Sequence, residues 1–406
     1  RDLHSFPTRR SSDLNAGYLA DRLGRRATLM FSAIIFMGTS ICGFMPSFAW
    51  NLVMCFFMGA SAGGMLPTVY SLTAESIPAR QRGPLVVVQS GLGAALGYLV
   101  ASGAAALFLP VMGWRVLWLL GLPSGALLLL LCRWIPESPR YLLANGRSAE
   151  AAEVMARYGV KAVWVEAAEV AAPAVVRVGS RLRGLFVSPY ARRTLSIVAY
   201  GLGWGVVNWG FITFLPAFLR QAGRGDSVES MLFFASLFAL PSTFLAAYVY
   251  GRWSSRGSML LCSGITVAAL CGFAVVGWIG LNSTAMLFAL LCLLLSSAGA
   301  MIAMLSPYST EQYPTALRAT GSGLAAAASK VGGMAGPLLL SSAPVLGTAA
   351  WVAALPLVVA VVVVFYTGIE TAGRPLPEGG PVSSAMEDAR TEVLITPAGV
   401  RQRVHR

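Results

Sequence analysis

The sequence predicts an all-α membrane protein made of two like-oriented helical repeats, and three observations predict it. Of its 406 residues, 56% are hydrophobic and 12% charged, with a mean hydropathy of +0.68, a balance far from that of a water-soluble domain. Ten apolar segments of bilayer-crossing length recur between about residue 28 and residue 367. Two short motifs each occur twice, at nearly the same separation along the chain.

A hydrocarbon core about 30 Å thick asks for roughly 20 apolar residues per helix. The segments that meet this are 28–45, 50–74, 84–109, 114–132, 195–219, 229–251, 258–280, 284–306, 321–342 and 347–367, each bounded by Gly, Pro or charge. The spacings Gly59/Gly63, Gly93/Gly97 and Gly332/Gly336 lie inside them, and there the missing side chains are expected to let neighbouring helix backbones approach closely. Between 133 and 194 the chain turns basic and reads as a cytoplasmic linker, with one short solvated or interfacial helix from Ser148 to Tyr158. From 368 to 406 it turns to Gly, Pro, Glu and Arg without an apolar period, the pattern of a mobile cytoplasmic tail. The opening residues 1–14, RDLHSFPTRRSSDL, are polar and joined without transition to Asn15-Ala16-Gly17, and read as non-native sequence outside the fold.

The net charge of +13 points to topology. Outside the first fourteen residues and the tail, 18 Lys and Arg fall in alternate loops: Arg22, Arg25 and Arg26; Arg80 and Arg82; ten between Arg133 and Arg193; Arg252 and Arg256; and Arg318. The opposite loops carry only Arg115, Arg220 and Arg224. Basic loops stay cytoplasmic, so the expected location is a cell inner membrane with a cytoplasmic C-terminus, and no nucleic-acid partner is implied.

Absences narrow the chemistry. The six cysteines lie within or at the ends of apolar segments with no C-x-x-C pair, and the only histidines are His4 and His405. Disulfide, zinc and imidazole chemistry therefore find no support, and no cofactor or metal is expected. A nucleotide-binding P-loop needs G-x-x-x-x-G-K-[ST], but neither of the two lysines, Lys161 and Lys330, stands in such a run. No nucleotide-driven step is therefore encoded, and an enzyme is not expected.

The repeats give the architecture. Thr73 to Gly83 contains Glu75-Ser76-Ile77-Pro78-Ala79-Arg80-Gln81-Arg82, and Glu311-Gln312-Tyr313-Pro314-Thr315-Ala316-Leu317-Arg318 matches it as E-x-x-P-x-x-x-R, 236 residues later. Gly17-Tyr18-Leu19-Ala20-Asp21-Arg22-Leu23-Gly24-Arg25-Arg26 aligns with Ala247 to Arg256 at a separation of 230, with Gly251 in place of the acid. Both copies of each motif fall at the same side of the membrane, so the halves are parallel repeats about an axis along the membrane normal.

These residues carry a family resemblance over essentially all of 15–367. Gly17 to Arg26 resembles the major facilitator loop signature G-x-L-x-D-R-x-G-R-R, and Pro136-Glu137-Ser138-Pro139-Arg140-Tyr141-Leu142-Leu143 with Gly146-Arg147 resembles the signature that follows the sixth helix in sugar porters and their organic-ion and metabolite relatives. The runs Leu66 to Gly83 and Tyr308 to Gly321 look most like the metabolite:proton symporter branch, which includes aromatic-acid carriers. The resemblance implies a major facilitator fold of two six-helix repeats with about ten full transmembrane helices present, the first helix and most of the second being missing. It divides the chain into an incomplete N-terminal bundle at 15–132, the linker, and a C-terminal bundle at 195–367. It implies a small-molecule substrate, here an organic or aromatic acid anion, moved by alternating access with a proton as co-substrate, in a monomeric protein surrounded by lipid. A facilitative sugar or organic-cation carrier, or a receptor on the same fold, is the alternative.

Individual residues follow. Asp21 among Arg22, Arg25 and Arg26 has the chemistry of charge-assisted hydrogen bonds at a helix end. The resemblance assigns a conformational latch to Gly17, Asp21, Arg25 and Arg82, with Glu75, Glu311 and Arg318 as the matching helix-end charges. Lys330 is a fixed charge about nine residues past Gly321, roughly 13 Å along a helix, where a cation is either functional or snorkels to the interface. In Tyr200 to Trp209, three glycines beside Trp204, Asn208 and Trp209 suit a bending helix that offers an amide and flat rings to a ligand. Asn208, Trp204, Gln89 and Lys330 are accordingly the candidate substrate contacts, with Ser90 beside Gln89. No segment carries an acid at mid-span, so proton coupling rests on the resemblance.

Overall fold

The computed structural model describes residues 24–76, 79–138, 141–142, 146–157, 178–221, 228–280, 283–313, 315–343 and 345–372. Every regular element among them is helical. In chain order these are α1 (Arg25–Thr39), α2 (Phe48–Ser76), α3 (Ala79–Met112), α4 (Gly121–Leu131), α5 (Ser148–Arg157), α6 (Val178–Leu185), α7 (Ala191–Gly205), α8 (Thr213–Leu219), α9 (Val228–Arg252), α10 (Ser255–Ile279), α11 (Thr284–Glu311), α12 (Thr315–Leu340) and α13 (Leu346–Thr367). Short 3-10 turns at Cys42–Phe44 and Trp114–Leu120 extend the ends of α1 and α4, and a π-helical stretch, Val206–Ile212, joins α7 to α8. Ten stretches among the described residues are long and apolar enough to cross a membrane, and each overlaps one of the ten segments read from hydropathy. The short linker helix falls at α5 as expected. The basic α6 was not anticipated, because its eight residues carry Arg183 and two glycines and show no apolar run.

The chain forms two compact units. One holds the described residues up to Arg82 together with those from Leu107 to Glu166. In it α1 packs against α2 and α4, and the contact is close because Gly121 and Gly125 of α4 lie against Ser40 and Met37.

The other unit contains residues 83–106 of α3 and the described residues from α6 onward. Its centre is the long bent helix α7–π–α8, which packs against both α12 and α13. Small residues set that approach: a Cβ on Gly210 would lie 2.9 Å from Gly336 Cα, one on Gly201 would lie 3.0 Å from Ala325 O, and one on Gly205 would run into Ser329 O. Gly277 of α10 meets Gly347 of α13 in the same manner. Without a hydrophobic drive between helices in lipid, such backbone-to-backbone packing supplies the association. Gly332/Gly336 therefore does what its spacing implied, whereas Gly59, Gly93 and Gly97 face open space within 4 Å. Glycine spacing alone did not separate the two cases. Tyr200, Phe211, Phe273 and Tyr308 are fully buried in the core of this unit, while Phe238, Leu245, Leu338 and Val359 point outward, the arrangement a lipid solvent favours.

Candidate functional site

Two helix starts are closed by carboxylates from distant segments. At α1, Gly24 stands at φ 98°, ψ 157°, a region essentially restricted to glycine, and the following backbone N–H groups turn toward Glu137. Glu137 accepts from Arg25 N at 2.8 Å, from Arg26 N at 3.2 Å and from Ser138 N at 3.0 Å. The first N–H groups of a helix have no partner within it and carry the positive end of its dipole, so a carboxylate there is doubly favourable. A Cβ on Gly24 would occupy the place of Glu137 Oε2. The Arg25 guanidinium lies 5.7 Å from the centre of the Tyr141 ring.

At α10 the same device recurs with Glu370, five positions after Phe365 and just beyond α13. Its Oε1 accepts from Ser255 N at 2.8 Å, Ser255 Oγ at 2.5 Å and Ala372 N at 2.9 Å, and its Oε2 accepts from Ser254 Oγ. Burial alone would raise this carboxyl, but the hydrogen bonds from Ser254, Ser255 and the Ala372 backbone outweigh it and hold the group at about 2. Glu137 and Glu370 are 233 residues apart, and the helix starts they close, Arg25 and Ser255, are 230 apart. The half-to-half duplication thus extends to a pair of acids that the sequence motifs did not pair.

Around Glu370, the Tyr308 hydroxyl donates to Ile369 O at 2.8 Å and accepts from Ile369 N at 3.0 Å. Arg256 donates to Phe365 O and lies over the Phe365 ring. Glu311 Oε2 lies 2.7 Å from the Tyr250 hydroxyl and 2.6 Å from Thr371 Oγ1. Arg193 donates to the neighbouring Gln312 O at 2.9 Å. The residues from Gly368 to Ala372 are therefore fixed to the bundle, although they read as the start of a tail.

Of the residues assigned to the latch, Arg25 and Glu311 lie in these two clusters. Gly17 and Asp21 fall outside the described residues, as do the side chains of Glu75, Arg82 and Arg318, residues 1–14 and the chain beyond Ala372.

The substrate candidates lie elsewhere on the second unit. Asn208 is buried at 6% exposure inside the π-helical stretch, where Asn208 O accepts from Thr213 N and from Thr213 Oγ1, the latter at 3.0 Å. Its side-chain Oδ1 accepts from the Tyr98 hydroxyl at 2.9 Å. Tyr98, on α3, was not singled out from sequence, since one tyrosine in a run of Ala, Gly and Leu shows no pattern. Beside it a cavity of about 20 Å³, bordered by Gly91, Tyr98, Ser236, Thr243 and Ser296, has room for about one water. Trp204 turns inward, its indole N–H donating to Ala298 O at 2.9 Å. Lys330 Nζ stands 5.0 Å from the centre of the Trp209 ring, a cation–π geometry. Gln89 Oε1 is buried with no hydrogen-bond partner among the described residues. Among the described residues no group of His, Cys, Asp and Glu is placed to hold a metal ion.

Residues 13–337 match the family model of the Major Facilitator Superfamily. The chain belongs to the Major Facilitator Superfamily. It is a multi-pass membrane transport protein, not an enzyme. Among superfamily proteins it is similar to the niacin transporter NiaP of Acinetobacter baylyi, at 29% identity over 80% of this chain and 74% of NiaP. It is also similar to the inner membrane metabolite transport protein YgcS of Escherichia coli, at 30% identity over 91% of this chain and 82% of YgcS, and to the 4-hydroxybenzoate transporter PcaK of Acinetobacter baylyi, at 28% identity over 76% and 68%. Its fold matches that of the proton:xylose symporter XylE with a TM-score of 0.68 at 19% identity, covering 90% of this chain and 84% of XylE. The all-helical major facilitator fold expected from the motifs is therefore the fold of this chain.

Proposed function

We propose that this transporter carries a small organic acid anion of aromatic type across the inner membrane by alternating access, together with a proton. The observation that carries the reading is the pair of relatives named for niacin and 4-hydroxybenzoate, both aromatic carboxylates. The residues on the second unit suit such a solute: Asn208 offers an amide whose Oδ1 is already held by Tyr98, which leaves the amide N–H groups as donors to a carboxylate. Lys330 supplies a cation beside the flat face of Trp209, and Gln89 a further amide. An amide donor, a cation and an aromatic face are what a planar anion needs for orientation and charge balance.

In the same reading, the 15–132 and 195–367 segments are the two moving bundles, the carboxylate-closed starts of α1 and α10 belong to the latch, and the C-terminus is cytoplasmic. Vesicles holding the purified protein test it. Labelled nicotinate and 4-hydroxybenzoate should accumulate when an inward proton gradient is imposed and should equilibrate slowly without it, while xylose and carnitine should not enter. Entry of xylose or carnitine with no entry of either aromatic acid overturns the solute assignment, and accumulation indifferent to the proton gradient overturns symport.

A further inference from the structure

Five hydroxyl and carboxyl groups form one line of four links at the end of the second unit, from Tyr250 through Glu311, Thr371 and Ser255 to Glu370. Tyr250 meets Glu311 Oε2 at 2.7 Å, Thr371 Oγ1 meets the same oxygen at 2.6 Å, Thr371 Oγ1 lies 2.8 Å from Ser255 Oγ, and Ser255 Oγ lies 2.5 Å from Glu370 Oε1. Each of these four oxygen–oxygen links needs one proton between its ends, because without one the lone pairs would face each other. The three hydroxyls of Tyr250, Thr371 and Ser255 supply one proton each. The fourth must come from a carboxyl.

Glu370 is not the source. Its two oxygens accept from Ser254, Ser255, Thr371 N and Ala372 N together, the surroundings of an ionised carboxylate. Among the described residues, Glu311 has two hydroxyl contacts, both at Oε2. The enclosing groups are dry, with Ser255 at 0%, Tyr250 at 2% and Thr371 at 8% exposure.

Among the described residues, the cations of the surrounding elements are committed elsewhere; the side chain of Arg318, on α12, lies outside them. On α7, Arg193 donates to Gln312 O; on α10, Arg256 donates to Phe365 O; and on α9, Arg252 is exposed. Tyr308, on α11 itself, is bonded to Ile369. The charged group linked to Glu311 through the hydroxyl line is the like-charged Glu370.

We propose that Glu311 is a proton-binding site, neutral and carrying the fourth proton of this line when it is seated between Tyr250 and Thr371. Its Oε2–H donates to Thr371 Oγ1, Thr371 donates to Ser255, and Ser255 donates to Glu370. On release, the Glu311 O–H bond breaks, its proton passes to water at that end of the bundle, and the carboxylate keeps the electron pair. Thr371 then turns its single hydroxyl proton to Glu311, and its hydroxyl link to Ser255 is lost while Thr371 N still donates to Ser255 Oγ at 2.8 Å. Binding of a proton thereby completes the line of hydroxyl links from the end of α11, through Thr371, to Ser255 at the start of α10. The site is independent of which solute is carried.

Infrared difference spectra of the whole protein in lipid vesicles, titrated from acid to mildly alkaline buffer, read the carbonyl stretch of protonated carboxyls. The expected result is a band present at neutral pH in the wild type and in E370Q and absent from E311Q. The variant T371V, which keeps the shape but removes the acceptor of the Glu311 proton, should shift that band to higher frequency. A wild-type band set unchanged in E311Q overturns the proposal, and should E311Q not fold, a spectrum of T371V identical to wild type overturns it equally.

Discussion

Asn208 and Tyr98 meet through one hydrogen bond, and its removal isolates what orientation of the amide contributes. Tyr98→Phe keeps the ring and deletes the donor; a neutral hydrogen bond contributes about 1 kcal/mol, so KM for the transported solute should rise roughly fivefold with the maximal rate little altered. Asn208→Ala removes the amide proposed to contact the solute and should lower uptake more than Tyr98→Phe does, which a kinetic series in vesicles would show. Gly24 offers a second residue-level test. Any side chain at its φ of 98° is strained and collides with Glu137, so Gly24→Ala should destabilise the protein by about 1–3 kcal/mol, seen as an earlier thermal transition. Gly38, with open space around it, is the control, and Gly38→Ala should leave the transition in place.

At the scale of elements, the seam between α7 and α12 and the closed helix starts make separate predictions. Gly205→Ala drives a methyl into Ser329 O, and overpacking of this kind costs about 1–3 kcal/mol; Gly97→Ala, in open space, should be neutral in the same melting experiment. The α10 start is sensitive to acid. Glu370 is held at about 2 in the folded protein against an ordinary carboxylate value of about 4.3 unfolded. Its stabilisation is therefore complete above the unfolded value and fades as the pH falls toward 2. Wild-type melting temperature should drop relative to Glu370→Gln across that window, the gap between the two closing at the acid end.

The elements were legible in the sequence because a lipid solvent demands a fixed length of apolar chain, and that demand leaves a mark wherever a helix crosses. Long-range polar contacts leave no such mark. Glu137 stood in a recognised motif, yet its role depends on N–H groups 112 positions earlier. Glu370 and Thr371 looked like tail because the short run Gly368 to Ala372 carries no apolar period, and Tyr98 had no neighbours of its kind. Glu311 was singled out by its motif, but its partners Tyr250 and Thr371 come from two other segments and could not be named from it.

For the molecule as a whole, the superfamily fold assigns transport, and the proton at Glu311 adds a dependence on the pH of one face only. The segment that carries this dependence ends a few residues past the last long helix. An investigator who trims the chain at Gly368, or splices a reporter protein there, would discard Glu370 and Thr371 and leave the start of α10 and the end of α11 without their shared clasp. Joining the reporter after Ala372 should spare both.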